Sequence, residues 1–236
     1  MLLRLFSGSR PGNVLFIFLF ALIIWMPAFL SPETRAFYYP VTPMPLYHML
    51  AQQLEGMVLT SKVIAFLFFL FMGIMMIRLN SRFILIQERT FLPAFFFLTI
   101  AGFYPSVNEF TPFMFGGIAT IFVIDLLLTS YKTDPNSYRY YEAGLLIGIA
   151  SLFYVRILYF LPLVWIASVI LRPFFWREWL YPLIGAATPY FLWAALRFIT
   201  DRDPWHIFTL VHQNLINFTR NYSFEWQNLL IPAYIL

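Results

Sequence analysis

The chain has 236 residues, of which 61% are hydrophobic, 21% aromatic and only 11% charged. Soluble domains average ~25% charged residues, and 29 Phe in this length leave a soluble fold no place to bury them, so the composition excludes that class and predicts several membrane spans. The absence of Cys excludes a disulfide framework and a thiolate metal site. A net charge of +4 gives no reason to expect a nucleic-acid partner, because in a membrane chain Lys and Arg mainly report topology. The expected class is an all-α, polytopic transmembrane helical bundle with about seven to eight visible spans, forming a single domain over 1–236.

The apolar run at 13–30 follows Arg4 and Arg10. It is longer than the 7–15 residues of a signal-peptide core and no small-residue cleavage site follows, so a retained first span is expected. Residues 31–60, "SPETRAFYYPVTPMPLYHMLAQQLEGMVLT", are too polar and too rich in proline (Pro32, Pro40, Pro43, Pro45) to span. They read as an outer loop. After Pro45, residues Leu46, Met49, Leu50, Leu54 and Met57 recur at helical spacing and predict an interfacial helix. Glu33, His48 and Glu55 are its ionisable groups, and it reads either as a solvated amphipathic loop or as part of a site.

The next spans are predicted at 61–77, at 91–104 and at 112–129. The loop between the second and third, "RLNSRFILIQERT", carries Arg78, Arg82 and Arg89, and 130–141 carries Lys132 and Arg139. Between the third and fourth spans, "YPSVNEFTP" carries no base and places Asn108 and Glu109 at its tip. Glu109 reads as a solvated loop acid, or as a base or metal ligand. The Lys and Arg distribution puts the N-terminus, 78–90 and 130–141 on the cytoplasmic side and 31–60 and 104–111 outside. Asp125, about one turn from the cytoplasmic end of its span, reads as structural, either snorkelling to the interface or paired with a cation from a neighbouring helix.

The stretch 142–172 is almost wholly apolar but holds Arg156, a residue that costs ~2.5–3.5 kcal/mol at the centre of a bilayer on insertion scales. As one helix it would run about 46 Å, too long for a core of ~30 Å. Two short helices, 142–154 and 157–171, put Arg156 at the turn between them, where it either meets a lipid phosphate or snorkels to the headgroups, and return Arg172 and Arg177 to the cytoplasmic side. A further span is predicted at 178–199, followed by an outer amphipathic segment at 200–225. The closing "WQNLLIPAYIL" reads as the start of another span, so the chain is expected to continue beyond 236. His48, His206 and His212 are scattered, the last two at a spacing of six that suits a shared metal poorly, and no Walker loop, HExxH or GxSxG motif occurs.

The order of these features resembles the GT-C superfamily of membrane glycosyltransferases. The likeness covers about residues 10 to 199 and rests on "SPETRAFYYP", "PLYHMLAQQLEGMV", "YPSVNEFTP" and above all "AGLLIGIASLFYVRILYFLPLVWIASVILR" at 143–172. More closely, "FSGSRPGN" and "YEAGLLIGIASLFY" are similar to an uncharacterised family of bacterial polytopic inner-membrane proteins. The resemblance implies a GT-C-like core in a bacterial inner membrane and transfer of a sugar from a polyprenyl-phosphate donor at the outer leaflet. It implies Glu33 as base, Glu109 as a metal or acceptor contact, Arg156 as the lipid-phosphate contact, and a divalent metal if the chain is an active transferase. The superfamily often pairs two acids soon after its first span, whereas Glu33 stands alone before Arg35. A non-catalytic subunit of a larger cell-envelope complex, with other membrane subunits as partners, therefore stays open, and a transporter is a third, weaker reading.

Overall fold

A computed structural model of the chain describes residues 11–30, 40, 42–83, 91–102, 109–130, 138–171, 176–201 and 203–216. These residues form helices and no strands: α1 (Pro11–Leu30), α2 (Pro45–Leu54), α3 (Val58–Phe83), α4 (Leu92–Gly102), α5 (Phe113–Ser130), α6 (Tyr138–Ser151), a 3-10 helix (Val155–Phe160), α7 (Leu161–Leu171), α8 (Trp176–Ile199) and α9 (His206–Ile216). Three helical stretches, Val58–Phe83, Phe113–Ser130 and Trp179–Ile199, are long and apolar enough to cross a membrane. Ile17–Leu30, Leu92–Gly102 and Val155–Ile170 are apolar but shorter. That architecture is compatible with a membrane protein.

Aromatic side chains knit α1 to α3. Trp25 packs between Phe66 and Phe69 at ring separations of 5.3 and 5.6 Å, tilted as ring quadrupoles prefer. Lys62, in the first turns of α3, is 3% exposed and donates from Nζ to the Ala28 carbonyl at 2.6 Å. A cation there satisfies a carbonyl in the last turn of α1 and complements the negative end of that helix.

Small residues join α6 to α8. Gly144 faces the backbone of Pro182, and a Cβ at Gly148 would lie 2.6 Å from the Ala186 carbonyl oxygen. One turn on, the Ser151 and Tyr190 hydroxyls meet at 2.5 Å. Such small residues let helix backbones touch where hydrophobic burial gives no drive, as in lipid. The contacts rise together along both helices (144 with 182, 148 with 186, 151 with 190), so α6 and α8 run parallel. The intervening segment therefore has to turn back. It does so at 152–154, followed by the 3-10 helix and α7.

The 142–172 stretch is thus broken, with α6 ending at Ser151 and the second α-helix starting at Leu161 rather than 157. The turn is held by Leu152, Phe153 and Tyr154, whose backbone N–H groups donate back to Ile149 and Ala150.

Candidate functional site

Four segments gather at one end of the bundle. The backbone N–H of Leu46 in α2 donates to the Leu152 carbonyl at 3.2 Å. Tyr47, fully buried, stacks on Phe110 and donates its hydroxyl to the Phe110 carbonyl at 3.1 Å. Phe115 at the start of α5 stacks on Phe153 in the helix break at 4.2 Å. Asn214 of α9 donates from Nδ2 to the Thr42 carbonyl at 3.0 Å and accepts from the Thr42 hydroxyl at 3.0 Å. These contacts fix α2, the break and α9 as a roof over the α2/α9 end.

Glu109 and Arg156 both lie at this end and are half-buried. Glu109 precedes Phe110, whose ring joins Tyr47 to Phe115. Arg156 sits in the 3-10 helix between Val155 and Ile157, which are both buried. Glu33 and Asn108 lie outside the described residues. Asp125 is at the opposite end and pairs with Arg82, not Arg156. No group of three His, Asp or Glu able to hold a metal ion occurs among the described residues. The divalent metal that the resemblance implies finds no ligand set among them.

Two histidines, one from the helix predicted after Pro45 and one that the sequence left without a role, meet here. His48 from α2 and His206 from α9 line one pocket of about 370 Å³, together with Pro43, Met49, Trp193 and Arg197. Arg197, in the last turn of α8, donates from Nε to the Asp203 carbonyl at 3.1 Å, and Asp203 Oδ1 accepts the Trp205 N–H at 2.9 Å. Asp201 takes the left-handed φ of 51° that closes the corner between α8 and α9, a conformation that Asp tolerates better than most residues.

The apolar stripe predicted for the interfacial helix packs inward in part, Leu46 and Leu54 lying against the core while Met49 and Met57 are exposed. Pro45, Tyr47 and Ala51 are buried, whereas Met49 is exposed. The Tyr47 hydrogen bond and stack decide the rotation of α2, which leaves Met49 on an outward face. Gly56, at φ 83°, then turns the chain into α3.

Comparison of the chain with protein families, with curated proteins and with solved structures finds no match.

Proposed function

We propose that the chain is a GT-C-like protein of the bacterial inner membrane, with seven to eight spans and its N-terminus in the cytoplasm, that transfers a sugar from a polyprenyl-phosphate donor at the outer leaflet. The observation that supports this reading best is the helix break, which sets a half-buried Arg156 at the same roofed end as Glu109.

In the reaction an acceptor hydroxyl oxygen attacks the anomeric carbon of the sugar. The bond from that carbon to the phosphate oxygen breaks, and the polyprenyl phosphate leaves with the electron pair. The hydroxyl proton passes to a carboxylate, the role given to Glu33, with Glu109 contacting the acceptor. The planar donor fork of Arg156 suits the oxygens of the leaving phosphate, and charge developing there is stabilised by a fixed cation.

The test is transfer of labelled sugar from a polyprenyl-phosphate donor in membranes containing the protein. Transfer that disappears in a well-expressed Glu33→Gln variant supports the reading. Full transfer by that variant removes Glu33 as base.

A non-catalytic subunit is the second reading. It is favoured by α8, which leaves Leu183, Ile184, Phe191, Leu192 and Leu196 exposed along the helix as a face for lipid or another membrane chain. Co-purification of a stoichiometric membrane partner, together with no transfer by the wild type, selects it.

A further inference from the structure

The pocket under the roof has two chemically distinct halves. His48, Arg197 and His206 bring basic side chains from three separate helices, while Trp193, Met49 and Pro43 supply apolar wall. We propose that this pocket binds the phosphate of a membrane-lipid headgroup, as a site independent of the sugar-transfer reaction.

The size fits. About 370 Å³ lies at the lower end of the ~300–1,000 Å³ range of small-ligand sites, room for a headgroup with the start of its apolar stem. The charge fits as well. Among the described residues, the lining contains no carboxylate side chain. Arg197 spends Nε on the Asp203 carbonyl, a bond that fixes the plane of the guanidinium, and its η nitrogens have no further hydrogen bond among the described residues. A held fork of this kind matches phosphate oxygens. His206 opens the 11-residue helix α9, so the positive end of that helix adds to the same side of the pocket.

The depth decides between a lipid and a soluble anion. Trp205 is 70% exposed and Phe208 beside it is also exposed, their rings 5.7 Å apart. Aromatic side chains presented outward from an amphipathic helix sit at headgroup level in a membrane. A pocket bounded by that helix opens where lipid phosphates lie, and its Trp193 and Met49 wall suits a lipid stem better than a bare ion.

The experiment follows thermal unfolding of the full chain in neutral detergent with three probes: a short-chain phosphatidic acid, the matching diacylglycerol and inorganic phosphate. A ligand that binds only the folded state raises Tm with its concentration. Phosphatidic acid is expected to raise Tm and diacylglycerol to leave it unchanged. Arg197→Gln and His206→Gln are each expected to weaken the apparent affinity about tenfold, whereas Arg78→Gln, at the opposite end of the bundle, leaves it as in wild type. His206 is exposed, so its variant reports on the site even if Arg197→Gln loosens the corner between α8 and α9. Protection by inorganic phosphate with none from phosphatidic acid overturns the lipid as the source. Equal protection by diacylglycerol, or unchanged affinity in both variants, overturns the site.

Discussion

Arg82 reaches across from the last turn of α3 to Asp125 of α5, its Nη1 lying 2.8 and 3.1 Å from the two carboxylate oxygens. The same guanidinium stands 5.3 Å from the centre of the Phe83 ring, a cation–π geometry. An acid inside an apolar helix is thus matched by a cation from a neighbouring helix, and α3 and α5 are pinned at the end opposite the α2/α9 roof.

Because the two side chains are 42% and 23% exposed, the pair is expected to contribute little. A double-mutant cycle with Arg82→Gln and Asp125→Asn should give a coupling of about 0.2–1 kcal/mol, reduced at high salt. Unfolding by denaturing detergent, with each variant alone and both together, measures it. A coupling of several kcal/mol means that the pair is more deeply desolvated than its exposure indicates.

The α6–α8 seam makes a sharper prediction. A Cβ at Gly148 meets backbone atoms of Ala186 at 2.6 and 2.9 Å, and backbone cannot step aside without moving a helix. Gly148→Ala should therefore cost about 1–3 kcal/mol, the range for overpacking. At Gly117 the only near atom among the described residues is the Met72 sulfur at 3.0 Å, the end of a flexible side chain. There the gain of roughly 0.5–1 kcal/mol from replacing a helical Gly by Ala offsets the adjustment, and Gly117→Ala should be close to neutral. Unfolding midpoints of the two variants, compared in one detergent, decide it. Equal losses in both contradict the seam.

Part of this arrangement was legible in the sequence because charge in an apolar run is expensive and must be explained. Arg156 pointed to a break, and the chain breaks within a few residues of it. Asp125 reads as structural, either snorkelling or paired with a cation from a neighbouring helix, and Arg82 is such a cation. What was not legible depends on rotation and on long-range contact. Lys62, at the start of the span predicted at 61–77, gives no sign in the sequence of its partner, yet it lies buried in α3 as a cap on α1. The stripe of Leu46, Met49, Leu50, Leu54 and Met57 marks α2 as an interfacial helix, but gives no sign that Tyr47, off that stripe, is the side chain buried against Phe110. His48 and His206 share no local motif, so only the packing of α2 against the α9 corner brings them to one pocket. The spacing of Gly144 and Gly148, four residues apart, was the one signal in plain view for the α6–α8 seam.

The packing sorts exposed positions into two ends, and the proposed orientation, drawn from the distribution of Lys and Arg, puts the α2/α9 end outside. Gln53 and His212 are exposed at the α2/α9 end, and Arg78 and Tyr138 are exposed at the other. With no native Cys, single cysteines can be placed at each. A membrane-impermeant maleimide should label 53 and 212 from outside intact cells, and 78 and 138 only after permeabilisation. The reverse pattern overturns the orientation, and a mixed pattern within one pair overturns the sorting into two ends.

Arg156 carries the last prediction. The 3-10 helix around it is anchored by Val155 and Ile157, both nearly fully buried, and by contacts with α9 such as the Tyr159 hydroxyl to the Leu215 carbonyl at 3.5 Å. Those anchors do not involve the guanidinium, so Arg156→Lys should fold and keep the break. If the arginine holds a lipid phosphate through its fork, lysine retains the charge and loses the two-pronged geometry. Binding of a polyprenyl phosphate should then weaken about tenfold, or roughly 1.4 kcal/mol. Arg156→Leu removes the charge as well and should weaken it further. The measurement is binding of labelled polyprenyl phosphate to the purified variants, with the Tm of each as a check on folding. A graded loss from Arg to Lys to Leu at unchanged Tm supports the phosphate role. Equal binding by all three, with Tm falling in the same order, makes Arg156 a structural residue of the break.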